Sequence, residues 1–202
     1  MISENTIETH SGLFVDLLDP APESIVVEDI AWALSRIGRY IGATNRFYSV
    51  AEHAVFVAKR LELNRASTEM VFVGLHHDSG EAYLGDIARP LKKLIGKSYR
   101  TLTDNVDAAI AKSLGVPEID SAERELIHQA DNWALTAEAY HLMTSRGQGW
   151  PEAAGGDYQP SADLDDWASL VLAGPAPEEG VAVKVFLSWH QRLSNSLQND
   201  SR

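Results

Sequence analysis

The spacing of apolar residues along the chain predicts a succession of amphipathic helices. Apolar positions recur at helical intervals over residues 25–37, 50–61, 67–78, 91–95, 102–114, 120–144 and 181–193. Ser49-Val50-Ala51-Glu52 has the form of a capping box, in which Ser49 and Glu52 satisfy each other's free backbone N–H groups, so one helix is expected to begin at Val50. No internal repeat is evident. The pattern as a whole predicts an all-α helical bundle.

Two segments depart from this helical pattern. Residues Thr6 to Leu18 alternate loosely around His10-Ser11-Gly12, which predicts a β-hairpin with a glycine-containing turn. We therefore expect residues 1–24 to form a small hairpin appendage. Residues 145–180 are rich in Gly, Pro, Ala and acidic residues, which is typical of a long surface insertion, here with a short helix near 163–172. Both segments are expected to belong to a single domain that spans the whole chain.

Composition and charge narrow the classes of protein to consider. The chain has 202 residues, 45% hydrophobic and 23% charged, and no cysteine, which excludes disulfides, thiolate nucleophiles and Cys-ligated zinc. No apolar stretch is long enough to span a bilayer and the N-terminus does not resemble a signal peptide, so we expect a cytoplasmic protein with no membrane partner. The formal net charge of −12 argues against a long nucleic acid as partner. A small phosphate ligand needs only one or two cationic side chains.

A His-Asp pair at the end of an apolar helix is the main candidate for chemistry. His77 and Asp78 follow the apolar run 70–76, and at the buried end of a helix they are costly to desolvate unless a partner such as a divalent cation pairs with them. His53 lies 24 residues before His77, and Asp131 lies 53 residues after Asp78, each within its own predicted helix. These nitrogen and oxygen ligands suit Mn, Co, Fe, Ni, Mg or Zn.

Glu81 adds a candidate for proton transfer. It follows Asp78 by one helical turn, close enough for its carboxylate to contact a water molecule at the metal. Hydrolysis of a phosphate ester needs a cation that neutralises the phosphoryl oxygens and a group that takes a proton from water. The alternative for Glu81 is a solvated carboxylate near a helix start, where acidic residues are common.

The order of His53, His77-Asp78 and Asp131 resembles the signature of the HD-domain metal-dependent phosphohydrolases. Residues 77–92 follow the pattern HD-x-x-E-x-x-x-G-D-x-x-x-P-x-K of bacterial 5'-deoxynucleotidases, and the chain is also similar to phage deoxyadenosine triphosphohydrolases of that superfamily. The resemblance extends from Thr6 to Asp131 and implies an HD-domain helical bundle. It also implies that His53, His77, Asp78 and Asp131 bind one divalent metal ion and that Glu81 is the catalytic carboxylate.

The same resemblance implies which residues bind the substrate. Arg39-Tyr40 matches an arginine-aromatic pair that contacts phosphate and sugar in the deoxynucleotidases, with Tyr in place of Trp, so discrimination against a ribose 2'-hydroxyl stays open. Asp86 matches an acidic residue near the sugar and the attacking water, and Lys92 is expected to contact phosphate. From the residues alone, Asp86 could equally cap its turn, Arg39 could form a surface ion pair and Tyr40 could pack in the core.

The expected substrate is a small nucleotide, a deoxynucleoside 5'-monophosphate in the first place, hydrolysed to nucleoside and phosphate. The alternative is a triphosphohydrolase that releases triphosphate from a dNTP. Because a triphosphate carries more negative charge, it would be expected to contact several cations together: Arg39, Arg46, Arg89, Lys92 and Lys93. A non-catalytic, nucleotide-sensing HD module would be favoured by loss of a ligand or of the acid–base residue, but all of these are present. Hydrolysis of a cyclic nucleotide or an alarmone would need further ligands or basic motifs that the sequence lacks. Exposed apolar helix faces are compatible with a homodimer.

Overall fold

Helices make up most of the fold. The computed structural model describes residues 3–150 and 165–200. Strands β1 (Thr6–Glu8) and β2 (Phe14–Asp16) are followed by helices α1 (Val27–Leu34), α2 (Val50–Leu63), α3 (Thr68–His76), α4 (Glu81–Leu84), α5 (Arg89–Ile95), α6 (Lys97–Leu114), α7 (Ser121–Leu142), α8 (Asp165–Ala173) and α9 (Val181–Asp200), with short 3₁₀ turns at Pro22–Ser24 and Arg39–Gly42. The predicted all-α fold with a small N-terminal hairpin is confirmed. Across the two described ranges, no helix has the length and apolar character needed to cross a bilayer.

One buried carboxylate fixes the hairpin to α1. The two strands pair antiparallel with Ile7 opposite Val15, and Val15 is fully buried against the helices. Asp29 of α1 accepts hydrogen bonds from the backbone N–H and the hydroxyl of Ser11 (2.8 and 2.7 Å) and from the Thr9 hydroxyl (2.7 Å). These three donors offset the cost of burying Asp29 and hold the hairpin loop in place.

Helix α2 packs against α3, α7 and α9 and is therefore central to the fold. The predicted capping box is present: the Ser49 hydroxyl accepts from the Glu52 N–H (3.2 Å), and the Glu52 carboxylate accepts from the Ser49 N–H (2.9 Å). Glycine at position 74 favours close packing of α2 on α3, because a Cβ atom there would clash with Leu61 Cδ1 and the Leu61 side chain would have to move. This contact brings His53 on α2 close to the C-terminal end of α3.

The end of α3 differs from the prediction. The helix ends at His76, so His77 is its C-cap residue and Asp78 lies in the following turn, whereas the periodicity predicted a helix through both. Ser79 and the glycine after it are weak helix formers, which explains the break. Hydrogen bonds from the Ser79 N–H to the His76 carbonyl and from the Glu81 N–H to the Asp78 carbonyl lead into α4.

Part of the predicted surface insertion contributes to the core. In α8, the Trp167 ring stacks on Phe56 of α2 at a centroid distance of 4.7 Å, and Ala168 and Leu172 are fully buried. The interpretation of 145–180 as a surface insertion is therefore wrong for α8. The acidic and Gly/Pro-rich sequence around this helix obscures its short apolar pattern. The stretch 151–164 of the predicted insertion lies outside the described residues.

Candidate metal centre

Two histidine rings meet edge-on between helix α2 and the C-terminal end of α3. His53, near the start of α2, is fully buried, and its Nδ1 lies 2.6 Å from Glu138 Oε1. His77 Nδ1 lies 2.7 Å from the Gly74 carbonyl oxygen. Because carbonyl and carboxylate oxygens accept hydrogen bonds, both rings carry the proton on Nδ1. The two Nε2 atoms then lie 3.3 Å apart, and their lone pairs repel unless a proton or a cation lies between them.

Asp78 and Asp131 complete the cluster that the sequence predicted. Asp78 Oδ2 lies 3.4 Å from His53 Nε2 and 3.2 Å from His77 Nε2. Asp131 Oδ1 lies 3.2 and 3.9 Å from the same two nitrogens. The ligand atoms of His53, His77 and Asp131 are all within 4.8 Å of one another and could hold a metal ion. Residues from α2, the α3–α4 turn and α7 therefore meet at one point.

These separations suit ligands around a common cation. Atoms bound about 2.0–2.2 Å from one metal ion, at angles between tetrahedral and octahedral values, lie roughly 2.8–3.6 Å from each other. The 3.3 Å between the two Nε2 atoms falls in this range, and so do three of the four nitrogen–oxygen distances, at 3.2, 3.2 and 3.4 Å. Only the distance between His77 Nε2 and Asp131 Oδ1, at 3.9 Å, is longer. The donor set of two imidazoles and two carboxylates thus fits a divalent ion and leaves its identity open.

The protonation of the cluster agrees with this fit. Burial acts to raise the pKa of Asp78 and Asp131, but the neighbouring imidazoles outweigh it and hold both pKa values below their ordinary range. For His53 and His77, burial acts to lower the pKa, but the surrounding carboxylates outweigh it and raise the pKa above the usual value. The cluster therefore favours positive charge at the imidazoles, which a metal ion supplies in place of protons.

Glu138 is a site residue that the sequence interpretation missed. Its side chain is fully buried on α7, seven residues after Asp131, and this two-turn spacing places both carboxylates on the same face of the helix. That spacing from a predicted ligand is the signal that could have found it. Four groups donate to its carboxylate: His53 Nδ1 (2.6 Å) and the Tyr48 hydroxyl (3.0 Å) to Oε1, and Arg39 Nε (3.1 Å) and the Tyr40 hydroxyl (2.7 Å) to Oε2.

Glu81 is buried beside the cluster at the start of α4. Its Oε1 accepts a hydrogen bond from Lys92 Nζ (2.8 Å), and its Oε2 has no partner among the described residues. Burial raises the pKa of Glu81 to about 7, with Asp78 and Asp86 acting in the same direction and Lys92 opposing them. A carboxyl group with a pKa near neutrality and an unoccupied oxygen is well suited to proton transfer.

Arg39 and Tyr40 reach the site through a strained turn. Arg39 is buried, and its Nη1 lies 3.6 Å from Asp78 Oδ2. Tyr40 and Ile41 both adopt left-handed backbone conformations (φ 56° and 55°), which are unfavourable for residues other than glycine. The Tyr40 hydroxyl is held by Glu138, and its ring lies 5.8 Å from the Trp150 ring. Arg39 is thus not a surface residue. The hydrogen bond from the Tyr40 hydroxyl to Glu138 stabilises the strained backbone conformation of Tyr40.

Helix α5 is held to the site by two ion pairs and has no buried residue. Arg89 donates to Asp131 Oδ2 (2.8 Å) and to the Asn132 side-chain oxygen (3.0 Å), while Lys92 donates to Glu81. Arg89 therefore orients a candidate metal ligand, a contact that the sequence did not reveal. Lys92, which was predicted to contact phosphate, pairs with the candidate proton acceptor.

A cavity of about 850 Å³ opens onto the cluster, a volume typical of small-molecule sites. All of the predicted catalytic and substrate-binding residues line it, together with two of the predicted ligands: Arg39, Tyr40, Asp78, Glu81, Asp86, Lys92 and Asp131. Burial raises the pKa of Asp86, with Arg39 opposing the shift. A second cavity of about 430 Å³ reaches Asp78 and Glu81 from the side of α6, where Asp104 and Asp107 lie.

These observations define the class: an all-α protein with a partly buried His and Asp cluster that could hold a metal ion beside a cavity. No family model matches the chain. The chain is 35% identical over 151 residues to the uncharacterized protein YfdR of Escherichia coli K12, across 74% of this chain and 79% of that relative. It is 38% identical over 137 residues to an uncharacterized protein of Rhodobacter capsulatus, across 65% of this chain and 70% of that relative. The chain belongs to the family of these two proteins.

Proposed function

We propose that the protein is an HD-domain, metal-dependent phosphohydrolase that converts a deoxynucleoside 5'-monophosphate to nucleoside and phosphate. The observation that carries this proposal is the convergence of two histidine Nε2 atoms, 3.3 Å apart, with two aspartates and a neighbouring glutamate beside one cavity. The cluster supplies ligands for a cation, and Glu81 supplies a proton acceptor. Together these are the two requirements of phosphate-ester hydrolysis.

The side chains have distinct roles in the proposed reaction. A bound divalent cation supplies charge neutralisation at the phosphoryl oxygens and a lower pKa for water. Glu81 accepts the proton of the attacking water at Oε2, while Lys92 holds the same carboxylate through Oε1. The water oxygen forms a bond to phosphorus as the bond between phosphorus and the nucleoside 5'-oxygen breaks, and the 5'-oxygen takes up the proton that Glu81 has accepted. Arg39 neutralises the phosphate from the side of Asp78.

The arrangement of cations supports a monophosphate rather than a triphosphate as substrate. Arg46 pairs with Glu52 (2.9 Å) and does not line the cavity. Arg89 and Lys92 line the cavity but are already paired with carboxylates of the site. Within the described residues, the cations left at the cavity are Lys93, which has no ion pair, and Arg39, whose Nη1 lies 3.6 Å from Asp78 while its Nε is bound to Glu138. Few cations therefore remain for phosphate groups beyond the first, and a triphosphate requires more of them than a monophosphate.

Removal of divalent metal is expected to abolish hydrolysis, and one or more of Mn, Co, Fe, Ni, Mg and Zn should restore it, because the cluster then regains its cation. The measurement is a panel of mono-, di- and triphosphates of ribo- and deoxynucleosides, assayed for phosphate, pyrophosphate and triphosphate. Full activity after exhaustive chelation would contradict the mechanism. Release of triphosphate from dNTPs would show that the protein is a triphosphohydrolase and would overturn the proposed monophosphate substrate. Nucleotide binding without turnover would indicate a sensing module.

Replacing Lys92 by methionine is expected to move the acidic limb of the kcat/KM profile to higher pH. The Lys92 ammonium opposes the rise in the pKa of Glu81, so its removal raises that pKa further. Because Glu81 accepts a proton only when ionised, activity is then lost at a higher pH than in the wild type. Lys93→Met is the matched control, since Lys93 lines the same cavity but forms no ion pair within the described residues. Equal shifts in both variants would show that the effect is not specific to Glu81.

A further inference from the structure

We propose that Glu138 is a positioning residue that fixes the metal-binding nitrogen of His53 and the phosphate-facing end of Arg39 through one carboxylate. The Glu138 side chain is entirely buried and lines neither of the two cavities described above. The Arg39 half of this role rests on the proposed function. The His53 half concerns metal binding and is independent of the substrate.

The carboxylate of Glu138 connects the two halves of the site. An ionised carboxylate has about four lone-pair positions, and four donors occupy them here. Oε1 faces the metal ligand His53, whereas Oε2 faces Arg39 and Tyr40. Because both oxygens belong to one rigid plane, a movement that disturbs one set of hydrogen bonds also disturbs the other.

At His53, Glu138 determines which nitrogen is available. Neutral imidazole can bind a metal ion through either nitrogen, and the choice is set by the hydrogen bond at the other one. The 2.6 Å contact to Oε1 keeps the proton on Nδ1, so the Nε2 lone pair is directed toward His77 and Asp131. Loss of such an outer-shell partner typically weakens metal binding by about 10–100-fold.

At Arg39, the same carboxylate anchors the base of the guanidinium group. Arg39 Nε is bound to Glu138 Oε2, while Nη1 lies 3.6 Å from Asp78 Oδ2, beyond hydrogen-bond distance. Nη1 of the guanidinium group thus lies beside the cavity and makes no short hydrogen bond to Asp78. The Tyr40 hydroxyl shares Oε2 at 2.7 Å, which supports the strained backbone of Tyr40. Glu138 therefore positions both members of the Arg39-Tyr40 pair.

The test is Glu138→Gln, which replaces one acceptor oxygen by an amide NH₂ group. In either orientation of the amide, this NH₂ group faces hydrogen-bond donors and cannot accept from them. We expect Mn²⁺ or Co²⁺ to bind about 10–100-fold more weakly in calorimetry. At saturating metal, KM for a deoxynucleoside monophosphate should rise by a larger factor than kcat falls. Asp29→Asn is the matched control, because it makes the same carboxylate-to-amide change in another buried side chain, which binds Ser11 and Thr9 and lines neither cavity. Its metal affinity should equal that of the wild type.

A lower melting temperature with unchanged metal affinity in Glu138→Gln would mean a structural role only and would overturn the proposal. If that variant does not fold, proton–nitrogen NMR of the zinc-loaded wild type decides the His53 half. Zinc on Nε2 with a proton on Nδ1 supports the proposal, and zinc on Nδ1 overturns it. If the wild type binds metal but hydrolyses no nucleotide, the proposed function fails, while the calorimetric comparison still decides the role of Glu138 at His53.

Discussion

Replacing Asp131 by asparagine is expected to remove tight metal binding and, with it, hydrolysis. The substitution keeps the shape of the side chain but removes the negative charge of an oxygen that lies 3.2 Å from His53 Nε2. Loss of a residue that only contacts a ligand weakens metal binding by about 10–100-fold, and the loss of affinity in Asp131→Asn should be at least as large. Calorimetry with Mn²⁺ measures it directly. In thermal unfolding, metal at about 100 times the wild-type Kd should stabilise the wild type by about 2.7 kcal/mol and the variant by about 1.4 kcal/mol or less.

Asp107→Asn is the matched control for this experiment. Asp107 lines the second cavity, which also reaches His77 and Asp78, but it is not part of the cluster that could hold a metal ion. The same change of charge at this position should leave metal affinity and metal-dependent stabilisation close to the wild-type values. Wild-type metal affinity in Asp131→Asn, or equal losses in both variants, would contradict the assignment of Asp131 as a ligand.

Glu81→Gln is expected to lower turnover by about 10²–10⁴-fold, the usual contribution of general acid–base catalysis, while metal affinity is retained. Glutamine fits the same space but cannot accept the proton of the attacking water. The position is sensitive because Glu81 Oε2 is buried without a hydrogen-bond partner among the described residues. Steady-state kinetics at saturating metal, together with calorimetry, separates the loss of proton transfer from a loss of metal.

Asp86→Asn tests the other predicted catalytic carboxylate. Asp86 lines the same cavity as Glu81, but no hydrogen bond or ion pair holds it within the described part of the chain. A reduction smaller than that of Glu81→Gln is expected, because an unheld carboxylate is less well placed for proton transfer. If Asp86→Asn loses turnover while Glu81→Gln retains it, the proton acceptor is Asp86 and the role given to Glu81 is wrong.

The helices were predictable because their signals are local. The capping box at Ser49 and Glu52 places the start of α2 as expected, and Gly115 in a left-handed conformation ends α6. The error at α8 occurs where tertiary packing outweighs the local pattern. α8 is short and lies in an acidic, Gly/Pro-rich segment, and it is recognisable as core only once Trp167 stacks on Phe56.

The candidate metal ligands were predictable for a different reason. His53, His77, Asp78 and Asp131 are chemically conspicuous within apolar helical patterns, and their order resembles a known signature. The fold brings all four together, with nitrogen–oxygen distances from 3.2 to 3.9 Å. The roles of Glu81, Asp86, Arg39, Tyr40 and Lys92 in a reaction stay predictions.

By itself, the sequence determined the helical class, the hairpin and the four candidate ligands, because periodicity, caps and residue chemistry can be read within a few turns of chain. Only the tertiary structure decided which partner each of these side chains has. Glu138 lies 85 residues from His53, and Arg89 lies 42 residues from Asp131. No local pattern pairs residues at such separations. Their hydrogen bonds arise because the packing of α2, α5 and α7 brings these polar groups together, and most buried donors and acceptors in folded proteins have a partner.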